Sequence, residues 1–87
     1  MFGLTAQMRR SAVSIPSNIA EGAARNSTGE LIQYLGITCG SVAELETQLE
    51  IAVELGFLEP NAIAIDLTSR VGMLVRLLRK SLRKTDY

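Results

Sequence analysis

The chain has 87 residues with nine basic and nine acidic side chains, so it is read as one small domain, 1–87, whose zero formal charge singles out no polyanionic partner. Histidine is absent and Cys39 is the one cysteine, which removes the commonest general base and transition-metal ligand and leaves no internal disulfide. No signal-peptide-like run opens the chain and no window reaches the roughly 18 uninterrupted apolar residues of a membrane span, so the expectation is a soluble, cytoplasmic protein.

The first helix is expected from about Leu4 to Ala24, with Leu4, Met8, Ala12, Ile15 and Ile19 as its apolar seam. Pro16 falls inside it, where a proline removes one backbone hydrogen bond and clashes with the preceding turn, at about 3 kcal/mol. Because the seam keeps its register through the proline, one kinked helix is preferred to two separate ones. Ser11, Ala12, Ser14, Ser17, Ala20 and Gly22 surround Pro16 with small side chains. They suit close approach of a neighbouring helix at the kink, with serine hydroxyls meeting the carbonyls that proline leaves free. Asn18 and Glu21 belong to the same packing unit as Ser14 and Pro16. A nucleophilic role for Ser14 lacks any histidine base and any lysine nearby in sequence.

The second helix has the clearest start, since "STGE" at 27 to 30 places Ser27 at the N-cap and Glu30 three residues on, a capping box. Leu31, Leu35, Thr38, Val42, Leu45, Leu49 and Ala52 follow at spacings of three and four, a coiled-coil-like seam that should end at Gly56. Ile37, Ile51 and Leu55 lie far round from that seam and call for a second contact surface. Glu44, Glu46, Glu50 and Glu54 are also on this helix, with no basic residue between 28 and 55. An antiparallel first helix brings Arg9 and Arg10 beside them, so ion pairs with Glu44 and Glu46 are the structural reading. A carboxylate pair serving a metal or acid-base chemistry is the sharper alternative.

"EPN" at 59 to 61 suggests a third helix starting at Pro60 and running to about Lys84, with Ile63, Leu67, Val71, Leu74, Leu78 and Leu82 as its apolar set. Arg76, Arg79, Lys80 and Arg83 fall within an arc of about 100° opposite that set, with Lys84 beside it. Such a stripe can follow a phosphate backbone by charge alone; equally it can be a solvated helix end that complements the dipole and attracts the acidic helix of another copy. Base stacking is poorly served, because Phe2, Tyr34, Phe57 and Tyr87 are the only aromatics. The short joints "RNS" and "GFLEP" favour antiparallel neighbours. The fold class is therefore all-α, an antiparallel up-down bundle of three helices with a groove left uncovered.

The segment from Leu4 to Leu58, above all "RRSAVSIPSNIAEG" and "GSVAELETQLEIA", resembles the small four-helix-bundle proteins encoded in intervening sequences of bacterial 23S ribosomal RNA genes. That family is related in turn to the accessory variability protein of diversity-generating retroelements. The resemblance implies a further helix ahead of the "LTAQ" segment, a first helix that this chain is expected to lack. It also implies a ring-like homopentamer and an association with RNA or, in the retroelement branch, with nucleic acid and a reverse transcriptase. The sequence-level reading is a non-enzymatic, self-associating bundle with no cofactor, metal, membrane or evident small-molecule substrate, either an RNA-binding accessory protein or a purely structural scaffold or protein-interaction module.

Overall fold

A computed structural model describes residues 2–85, which form α1 (Phe2–Ala23), α2 (Thr28–Glu54) and α3 (Ile63–Thr85). Each boundary has a local cause. Ser27 is extended (φ −134°, ψ 147°) and its hydroxyl accepts from the Glu30 N–H at 3.2 Å, which starts α2. At the other end Gly56, with φ 81°, lets the Phe57 N–H reach the Ala52 carbonyl and its own N–H reach the Val53 carbonyl, a Schellman closure. The third helix begins at Ile63 rather than at Pro60, because the Ala62 N–H bonds the Glu59 carbonyl. That places Pro60 second in a tight turn, where its fixed φ is equally at home.

Helix α2 is the central element. Ser14 of α1 faces Ser41, and Gly22 faces Leu31 and Tyr34; on the other flank Gly72 of α3 meets Val42 and Arg79 meets Gly36. Both flanking helices therefore run antiparallel to α2, up-down-up. The backbones of α1 and α3 never come within packing distance of each other. The Cα envelope of 48 × 21 × 14 Å is accordingly a bent layer of helices rather than a closed bundle. The core lies along α2, where Leu35, Thr38, Val42, Leu49 and Ala52 are buried. That line matches the seam expected from spacing.

The seams of the flanking helices are used differently from expectation. Helix α1 turns Ser11 and Gly22 inward while Leu4, Met8, Ile15 and Ile19 are half-buried and Ala12 is exposed. Helix α3 meets α2 through Thr68, Gly72, Val75 and Arg79, and Ile63, Leu67, Leu74 and Leu78 stay exposed. At 3.6 residues per turn its apolar stripe sits about 100° round from the line that meets α2. Between the two flanking helices lies an apolar groove of about 450 Å³, floored by Leu45, Leu49 and Ala52 and walled by Leu4, Met8, Ala12, Phe57 and Ala64 among others. Ile37, Ile51 and Leu55 are exposed on the far side of α2, as their position round the helix requires.

Helix α1 continues unbroken through Pro16, which is exposed. The close approach occurs instead at Gly22, where a Cβ would lie 2.7 Å from Tyr34 Cβ. Ser14 does not turn to a carbonyl freed by the proline either. Its hydroxyl shares a 2.7 Å hydrogen bond with Ser41, and the Asn18 amide donates to both the Ser14 carbonyl and its Oγ. The Ala12 carbonyl, which loses its helical partner to Pro16, belongs to an exposed residue.

Candidate nucleic-acid interface

The last three turns of α3 carry Arg76, Arg79, Lys80, Arg83 and Lys84. Leucines alternate with them at helical period, so the basic side chains gather on the side of α3 away from the groove. Arg76, Lys80, Arg83 and Lys84 are exposed, and none pairs with a carboxylate among the described residues. Arg83 and Lys84 also lie in the final turn, where the carbonyl ends of the helix favour positive charge.

Arg79 is different. Half-buried, it donates from Nε to the Ile32 carbonyl of α2 at 3.1 Å. Its guanidinium lies over Gly36, where an added Cβ would be only 3.0 Å from Nη2. Glycine at 36 is what lets the guanidinium reach the α2 backbone. The open edge thus comprises four cations, and the fifth holds α3 to α2.

The expected ion pairs of Arg9 and Arg10 with Glu44 and Glu46 do not form; among the described residues the ion pairs are Arg25–Glu21 and Arg70–Asp66. Glu46 lines the cleft between α2 and α3 with Glu50 and Glu54, whereas Arg9 borders the apolar groove on the opposite side. The helix period rather than the pairing of helix ends decides this, since Glu44 and Glu46 point to different flanks of α2. Arg10 and Glu44 do line one polar cleft with Gln7, Ser11, Ser14 and Gln48, without touching. The Gln48 Oε1 in that cleft is buried with no hydrogen-bond partner.

Glu21 serves the joint between α1 and α2. Its carboxylate binds Arg25 at 2.8 Å, and the same Arg25 Nη2 donates to the Tyr34 hydroxyl at 2.8 Å while the guanidinium stands 5.0 Å from the Tyr34 ring centre. Tyr34 first, and Glu21 after it, raise the Arg25 pKa above its ordinary value. Position alone could not have revealed this clasp, because the "RNS" joint had to fold back before Arg25 could meet an aromatic nine residues later.

Phe2 is 94% exposed and Phe57 lies at the mouth of the groove, so neither joins the basic edge; Tyr87 lies outside the described residues. Cys39 is half-buried and free. Among the described residues no cluster of three or more acidic, cysteine or histidine side chains is placed to hold a metal ion. No described helix is long and apolar enough to cross a membrane.

No curated protein matches the chain. A three-helix layer whose seam runs through "GSVAELETQLEIA" and whose first helix carries "RRSAVSIPSNIAEG" agrees with the family profile that matches residues 1–80, and the chain belongs to the 23S rRNA-intervening sequence protein family.

Proposed function

We propose that the chain is a non-enzymatic, self-associating helical protein that holds RNA through the phosphate backbone, using the edge of α3. The observation that carries this reading is the set of four exposed cations, Arg76, Lys80, Arg83 and Lys84, on one side of one helix, without carboxylate partners among the described residues. Over that length they present a charge about every 4 Å of axis, a density suited to successive phosphates. Among the described residues the edge offers no aromatic platform, so contact is by charge and is indifferent to base sequence. Self-association is supported by the exposed apolar stripe of α3 and by Ile37, Ile51 and Leu55 on α2, more apolar surface than a chain this short covers alone.

The test replaces Arg76, Lys80, Arg83 and Lys84 by glutamine and leaves Arg79 in place. Wild-type affinity for a structured RNA, read by fluorescence anisotropy, should fall log-linearly with salt. In the variant it should drop at least about tenfold at low salt, with the salt slope reduced by about 3. Equal affinity in the variant rejects the edge as the binding surface. Absence of wild-type binding at low salt leaves a structural scaffold as the function.

A further inference from the structure

We propose that the polar cleft between α1 and α2 binds a free α-amino acid whose side chain ends in an N–H donor, as that of glutamine does; the site is on the α1 flank of α2 and does not rest on the nucleic-acid reading above. Gln7, Arg10, Ser11 and Ser14 of α1 and Glu44 and Gln48 of α2 line a cleft of about 400 Å³. At spacings of three and four residues the α1 set shares one helix face, and Glu44 and Gln48 stand one turn apart on the other wall. The Ser14–Ser41 hydrogen bond of 2.7 Å sets the register between the walls. Stepping antiparallel from it brings Ser11 level with Glu44 and Gln7 level with Gln48.

The charges ask for a zwitterion. Arg10 and Glu44 face the same cleft with opposite sign, and among the described residues neither has an ion-pair partner. The carboxylate of an amino acid accepts from the Arg10 guanidinium, and its ammonium donates to Glu44. Because the two side chains cancel in charge, a ligand neutral overall is preferred to a phosphate, which Glu44 repels, and to a simple amine, which Arg10 repels.

Gln48 selects the ligand's side chain. Its Oε1 is buried with no hydrogen-bond partner, and a buried acceptor left unpaired carries a penalty that a donor removes. The terminal torsion of a glutamine is broad, so the amide can turn its carbonyl towards the cleft when a donor arrives. With the α-carboxylate and α-ammonium held by Arg10 and Glu44, that donor comes from the side chain of the ligand. A lining of polar side chains gives an aliphatic side chain little to pack against.

The test is a calorimetric titration of the intact chain with L-glutamine, with the side-chain amide signals of Gln7 and Gln48 followed in parallel by nuclear magnetic resonance. Expected is saturable binding with a Kd of about 1 mM or tighter, with both amide signals moving in step. Glutaramate, which lacks the ammonium, γ-aminobutyramide, which lacks the carboxylate, and L-norvaline, which lacks the amide, should each bind at least about tenfold more weakly. Arg10→Gln and Glu44→Gln, both at exposed positions that leave the helix content unchanged by circular dichroism, should weaken glutamine binding by a similar factor. Gln48→Met keeps the shape of the side chain, removes the unpaired oxygen, and should abolish the preference for glutamine over norvaline. Heat that does not saturate by about 10 mM, or amide signals that stay still, overturns the site. Equal binding of glutamine and glutaramate, or wild-type affinity in Arg10→Gln and Glu44→Gln, overturns the zwitterion. A preference for glutamine that survives Gln48→Met overturns the role of Gln48.

Discussion

The two flanks of α2 are docked by different chemistry. On the α1 side the contact is polar and spread along the helix: Ser14 bonds Ser41, Arg25 reaches Tyr34, and Gly22 brings the backbones together. On the α3 side it runs through Thr68, Gly72, Val75 and Arg79, with Gly72 beneath Val42 and Arg79 on the Ile32 carbonyl. Helix α3 leaves Ile63, Leu67, Leu74 and Leu78 exposed and Leu4 and Met8 of α1 border the groove, while small side chains at Gly22 and Gly72 bring the helices close. Only along α2 itself does an apolar seam become a core.

The largest test of that contrast compares two leucines. Leu35 is wholly inaccessible, and Leu35→Ala should lower unfolding free energy by about 3 kcal/mol through lost burial and a residual cavity. Leu74→Ala removes the same atoms from a side chain 63% exposed and should cost less than about 0.5 kcal/mol in the isolated fold. Urea denaturation followed by circular dichroism measures both. Comparable losses would mean that the α3 stripe is already covered in solution, and dilution would then have to narrow the difference.

Local punctuation was legible in the sequence, because a cap or a glycine stop depends on residues a few positions apart. Ser27 with Glu30, and Gly56 with Phe57, form the boundaries their types suggest. The seam of α2 was legible too, since a helix packed on two flanks buries its most regular apolar line. The neighbour that each remaining stripe faces was not legible. Periodicity states that Leu67 and Leu74 share a face, but only the docking of Gly72 and Arg79, which score as small or polar, settles that this face looks away from α2. For the same reason the basic residues of α3 read as one stripe, although Arg79 parts from the others once Gly36 is found beneath it.

A smaller effect separates the outer side of α1 from its inner side. Pro16 is exposed, so Pro16→Ala restores a backbone hydrogen bond without disturbing α2. About 3 kcal/mol of helix propensity is gained, less about 1 for the freedom returned to the unfolded chain, leaving about 2 of net stabilisation. Gly22→Ala acts on the inner side with the opposite sign. Its Cβ would stand 2.7 Å from Tyr34 Cβ and 3.1 Å from Leu31 Cδ1, so the helices must separate. The expected loss is about 1 kcal/mol, overpacking outweighing a gain in propensity. Thermal melts of the two variants should shift in opposite directions; a shift in the same direction would show that Pro16 also supports the packing of α1.

The smallest effect tests how rigidly α3 is docked. In Gly36→Ala the new methyl meets only the Arg79 guanidinium, at 3.0 to 3.3 Å, and this is the far end of a long side chain that can swing into solvent. Losing its bond to the Ile32 carbonyl costs about 1 kcal/mol, and alanine returns about the same in helix propensity, so stability should change by less than about 0.5 kcal/mol. Gly40→Ala is the control, because nothing lies within 4 Å of its Cβ and no bond is lost. It should gain about 1 kcal/mol. The difference between the two variants isolates what Arg79 contributes to holding α3. If Gly36→Ala costs as much as Gly22→Ala, the guanidinium cannot leave its place on α2, and α3 is as firmly seated as α1. If Gly36 and Gly40 respond alike, Arg79 contributes nothing to docking, and it belongs with Arg76, Lys80 and Arg83 on the open edge.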